Sequence, residues 1–175
     1  MKAHFQVLAL MVLICSLPIA TFGQKLSKYY SSRNQEGGNL YFIYPFEDFK
    51  NKADGSDFVF DITHRAGTDF ATINFTFFSA DPLPADSLKI SASQVLVSEK
   101  AEKLFIDYAK KHWQHRYSIK IDFSELMAIF KTQSQPAIEV ISESIKLVYG
   151  VKEKDWKKYA DAVNKILYII KSENE

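Results

Sequence analysis

The sequence predicts an α+β fold. An antiparallel β-sheet of about six to eight strands is expected, with a short helix and a long C-terminal amphipathic helix packed on one sheet face. Three patterns lead there. Trp113, His115, Tyr117, Ile119, Ile121 and Phe123 occupy every second position of one run, with Gln114, Arg116, Ser118, Lys120 and Asp122 between them. A strand sorts two such sets onto opposite faces, whereas a helix scatters them around its circumference. Phe58, Phe60, Ile62 and His64, and then Ala71, Ile73, Phe75 and Phe77, alternate in the same way on either side of Ala66-Gly67-Thr68-Asp69. Two alternating runs around a Gly-containing loop predict a β-hairpin. Trp156, Tyr159, Val163, Ile166, Leu167 and Ile170 form one apolar stripe at helical spacing.

Residues 1–23 follow the plan of a secretory signal peptide. Lys2 supplies the charge, an apolar run extends from Phe5 through Ile19, and Thr21-Phe22-Gly23 offers small residues before Gln24. The run is shorter than the roughly 20 apolar residues of a membrane span, and Pro18 interrupts it. Cleavage after Gly23 removes Cys15, the only cysteine. The mature chain then has no thiol chemistry, no Cys-ligated metal and no disulfide, so packing alone must hold it together. Loss of Lys2 also reduces 22 basic residues to 21, against 21 acidic ones. A net charge of zero argues against a nucleic-acid partner. It gives no general attraction to anionic membranes either, and no transmembrane span is expected after cleavage.

Residues 24–38 are polar and read as a flexible leader, so the single folded domain is expected over 39–175. Leu40-Tyr41-Phe42-Ile43-Tyr44 is a β-rich run ended by Pro45, and Asn51 to Ser56 is a turn cluster. Beyond the hairpin, Pro82 and Pro84 break the ladder, and short strands are expected at Leu88–Ser91 and Val95–Val97. Residues 99–112 fit two patterns. Leu104, Phe105, Tyr108 and His112 line a helix face, while Leu104 and Ile106 alternate as in a strand. The strand is preferred because 113–123 beside it is so clearly marked. Asp122-Phe123-Ser124-Glu125 resembles a capping box and predicts a short helix through Lys131. Residues 136–150 suit either a hairpin turning near Ser142-Glu143-Ser144 or a helix, ending at Gly150. In the last helix, Glu153 and Asp155 lie at the positive end of the dipole and Lys171 near the negative end.

No phosphate loop, nucleophile elbow or metal-binding spacing appears. No catalytic residue, metal ligand or cofactor is therefore assigned. The candidate binding residues are Trp113, His115, Arg116 and Tyr117, with His64, Tyr41 and Tyr44. Trp113, His115, Arg116 and Tyr117 offer an aromatic surface with a His or Arg handle for a sugar, a peptide or another planar ligand. Tyr41 and Tyr44 belong to a separate aromatic patch near the start of the fold that suits a ligand or partner. The competing expectation is that the alternating aromatics are core and His115 is a hydrogen-bonded histidine at its edge, and alternation marks burial first. The functional expectation is an exported, non-catalytic protein of the periplasm, envelope or extracellular space that binds an unidentified ligand or envelope protein. Two alternatives stand beside it: a small exported hydrolase using His64, His112 or His115 with a carboxylate, and a structural component of an envelope assembly. Convergence of His64 with His115 or an Asp in a pocket would mark the enzyme. An exposed apolar patch or unpaired sheet edge would mark the assembly component.

Overall fold

The computed structural model describes residues 26–109, 111–132, 134–143 and 145–173. The expected signal peptide, with Lys2 and Cys15, lies outside these residues. In chain order the elements are β1 (Tyr30–Gln35), β2 (Gly38–Asn51), β3 (Asp57–Arg65), β4 (Phe70–Ser79), β5 (Ser87–Ala92), β6 (Val95–Lys100), β7 (Glu102–Ala109) and β8 (His112–Asp122). They continue with α1 (Phe123–Lys131), β9 (Ala137–Ile141), β10 (Lys146–Gly150) and α2 (Glu153–Glu173). The chain is α+β and the sheet antiparallel, but the expected six to eight strands are ten among the described residues.

Local chemistry accounts for the difference. The polar stretch after Gln24 supplies β1, which pairs with the first half of β2. Gly38 makes their turn possible: its φ is 114°, and a Cβ there would lie 3.0 Å from the Ala66 carbonyl oxygen. Pro45 does not end a strand. It sits inside β2 at the first of two register shifts against β3, between Ile43 and Phe46 and again between Phe46 and Phe49. Each shift adds one residue to β2 relative to β3, so Ile43, Phe46 and Phe49 turn inward at a spacing of three rather than two. Bulges are among the few sheet positions where proline is tolerated. The two ambiguous segments are both β: residues 102–109 pair with β8, and 137–150 form the β9–β10 hairpin.

The expectation of a helix lying on one face of the sheet is also corrected. The sheet order is β6-β5-β9-β10-β2-β3-β4-β8-β7, with β1 paired to β2 off this path. Its first and last strands, β6 and β7, are separated in the chain by Ala101 alone. On a flat sheet, eight strand spacings would hold them roughly 38 Å apart. A chain advances at most about 3.6 Å per residue, so the sheet has to curl until its two ends meet at Ala101. There the Ala101 N–H donates to the Asp86 carbonyl at 2.8 Å. Strands β6 and β7 do not pair with each other, and the result is a nearly closed barrel.

Both helices pack into this barrel. Phe58, Phe60, Ile73, Leu88, Ile90 and Ile138, from four strands, close around Leu126 and Ile129 of α1 and Trp156 of α2. Phe46 stacks on Tyr159 at 4.3 Å, and Phe130 of α1 stacks on Trp156 at 5.3 Å. Asp122 caps α1 by position, yet its side chain makes no capping hydrogen bond. The Phe123 N–H donates instead to the Asp69 carbonyl at 2.8 Å, tying α1 to the β3–β4 turn.

Candidate functional site

The register places the histidines at opposite ends of the barrel. His64 pairs with Ala71 of β4, and His115 with Phe77 of the same strand. Six residues of strand separate those positions by roughly 20 Å. His112 lies exposed at the start of β8.

His64 is buried and its ring stacks on Phe123 at 4.3 Å. Its Nδ1 lies 3.0 Å from the Phe70 carbonyl, which can only accept, so Nδ1 carries the proton. Nε2 is then unprotonated, and it is buried without a hydrogen-bond partner. Burial pushes the His64 pKa below its ordinary value, and the Phe70 carbonyl opposes part of that. Tyr41 is the cross-strand neighbour of His64, and its hydroxyl donates to the carboxylate of Glu173 on α2. The structure thus brings His64 and Tyr41 together. Desolvation, followed by the bond to Glu173, raises the Tyr41 pKa.

His115 is fully buried and stacks on Phe77 at 4.5 Å. Ser79 Oγ donates to the Asp81 carbonyl and accepts from His115 Nε2 at 2.7 Å. This is the reverse of a nucleophilic pair. An attacking serine needs its own proton directed at an unprotonated imidazole nitrogen, with an acid holding the other one. Here the serine proton is committed to a carbonyl, and His115 Nδ1 is buried without a partner. Burial lowers the His115 pKa, and the Asp81 backbone opposes it. The contact clamps the end of β4 onto β8.

The other predicted residues divide between core and surface. Tyr117 is buried, and its hydroxyl accepts the Ala85 N–H at 3.1 Å. Arg116 points out of the barrel. It donates to Asp61 Oδ2 at 2.6 Å and to Thr76 Oγ1 at 2.9 Å, while Asn74 donates to Asp61 Oδ1 at 2.8 Å. That network ties β3, β4 and β8 together on the outer face and commits the guanidinium. Tyr44 is exposed and lines a shallow groove of about 380 Å³ with Tyr29, Glu47, Asp155 and Lys158, where both charge signs alternate. Trp113 is half-buried, with the Tyr108 ring 5.4 Å away.

Tyr108 belongs to the least protected strand. Among the described residues, β7 pairs with β8 on one side and with no strand on the other. Leu104, Phe105 and Tyr108 are 51%, 42% and 58% exposed. A register shift between Lys103 and Phe105 sets Leu104 and Phe105 against the single Arg116 position, on the outer face of the barrel. Ile106 and Tyr108 pair with His115 and Trp113 and so take the inner face. No family model matches the chain, and no curated protein or solved structure matches it.

Among the described residues no group of three or more His, Cys, Asp or Glu side chains is placed to hold a metal ion, and no helix is long and apolar enough to cross a membrane. The surface these strands do offer is an open strand edge flanked by apolar side chains. Neither Leu104 nor Phe105 is among the binding residues predicted from the sequence. The signal was present in Leu104-Phe105-Ile106: three consecutive apolar residues in a strand cannot all face one core, because successive side chains alternate.

Proposed function

We propose that this chain is an exported, non-catalytic binding protein that takes a protein partner along strand β7. The carrying observation is the free β7 edge with Leu104, Phe105 and Tyr108 exposed beside it. An open edge presents a row of backbone donors and acceptors, and adding a strand satisfies them while exposed apolar side chains supply buried area. The roughly 20 Å between His64 and His115, and the direction of the Ser79–His115 hydrogen bond, support a role without catalysis. Export rests on the signal-peptide pattern of residues 1–23. Membership of an envelope assembly would use the same edge, in a fixed stoichiometry.

A photo-crosslinking residue at Leu104 should yield one discrete adduct in native extract. Phe105→Lys should weaken binding of the purified partner about tenfold, since a charge then replaces buried apolar area. A hydrolytic activity of the purified chain that disappears in a folded His115→Gln variant would overturn the proposal.

A further inference from the structure

The free edge of β7 also carries a charge rule that separates a foreign strand from a second copy of this chain. The inference rests on the β7 binding reading above. Past the bulge, Phe105 to Ala109 is regular: Phe105, Asp107 and Ala109 face outward, while Ile106 and Tyr108 face inward. An antiparallel partner must match these faces, because the side-chain period is two. For two copies of β7 related by a two-fold axis, the register that pairs all five regular positions sets Phe105 opposite Ala109, Ile106 opposite Tyr108, and Asp107 opposite its own copy. Like charges directly opposite each other disfavour pairing. Asp107 accepts the Tyr108 N–H at 2.8 Å, and among the described residues it has no ion-pair partner to neutralise it. Registers shifted toward the start of β7 meet the bulge at Leu104, and those shifted the other way run out at Ala109, so each pairs fewer regular positions.

We propose that β7 accepts an extended strand of a partner protein that places a Lys or Arg opposite Asp107, with apolar residues opposite Ile106, Tyr108 and Phe105, and that Asp107 at the same time bars pairing with a second copy. The order of the partner strand follows from the antiparallel register. Running against Ala109 to Phe105, it reads small or polar, apolar, basic, apolar, apolar.

The probe is a labelled peptide with the core Ser-Val-Lys-Val-Val, compared with its Ser-Val-Glu-Val-Val counterpart by fluorescence anisotropy on the full mature chain. The Lys peptide should bind about fivefold more tightly than the Glu peptide, and the difference should shrink at high salt. Asp107→Lys, a change at an exposed position, should reverse the preference. Hydrogen exchange should show new protection over Phe105–Ala109 in the complex, and the free chain should sediment as a monomer. Equal affinity for the two peptides, or no reversal in Asp107→Lys, would overturn the charge rule and leave the edge reading standing. No saturable binding by either peptide would overturn both. A wild-type dimer protected along β7 would overturn the exclusion of self-pairing.

Discussion

His64 and His115 cap opposite ends of one aromatic core, and each keeps one ring nitrogen buried and unbonded. Adding a proton to either nitrogen would bury a charge without a partner, which explains why both pKa values fall. The consequence for stability has a definite sign. Below the ordinary histidine pKa of 6.5 the unfolded chain takes up protons that the folded barrel refuses, so stability is complete above that pH and declines beneath it. Urea denaturation midpoints should therefore fall between about pH 7.5 and about pH 5.5. The fall should be smaller in the double variant His64→Gln/His115→Gln, and an equal fall in both proteins would assign the effect to other groups. Alternation along β3 and β8 already places both histidines on the inward face. Their bonding was not legible, because Phe70 and Ser79 meet them only through the register of β4 against its two neighbours.

Helix α2 shows how an element can be plain in the sequence while its docking is hidden. Its apolar stripe becomes the buried face, with Trp156, Val163, Ile166, Leu167 and Ile170 all sealed from solvent. Trp156 contacts Phe46, Phe49, Phe130 and Tyr159, with ring centroids 5.3 to 6.1 Å apart. It joins both helices to β2, so Trp156→Ala should cost about 3–5 kcal/mol. The check is urea denaturation, and a loss below about 1 kcal/mol would show that the barrel holds α2 by other contacts. The surface to which α2 docks depends on the two β2 bulges. They turn Phe46 and Phe49 inward together, at a spacing of three that breaks the period of a regular strand and is shared with a helix face. Tyr44-Pro45 and Glu47-Asp48 look like the end of a strand in sequence, and only pairing with β3 reveals them as bulge positions.

At the scale of the whole molecule, closure depends on a link of one residue. The alternating strands β3, β4 and β8 and the final helix were legible because period and burial are local, whereas β1 and the second half of β2 were not. Closure was not, because it depends on which strands become neighbours: β6 and β7 read as two adjacent strands, and nothing in their composition says they lie at opposite ends of the sheet order. Once that order is known, Ala101 becomes the place where the sheet's two ends are joined. It is buried, and its N–H donates to the Asp86 carbonyl beside the start of β5. Ala101→Pro removes that donor and fixes φ, leaving the Asp86 carbonyl without this bond. The expected cost is about 1–3 kcal/mol. It should be local: hydrogen exchange should accelerate in β6 and β7 while Phe58–Phe60 of β3 and the buried face of α2 keep their protection. Uniform acceleration across all strands would show that the barrel opens only as a whole. Unchanged exchange in β6 and β7 would show that the helices inside, and not the Ala101 hydrogen bond, keep the two ends together. The local outcome would also bear on binding, because β7 leads directly from this link. A chain loosened at Ala101 should hold β7 less firmly and take an added strand more weakly, even though every side chain on the free edge is unaltered.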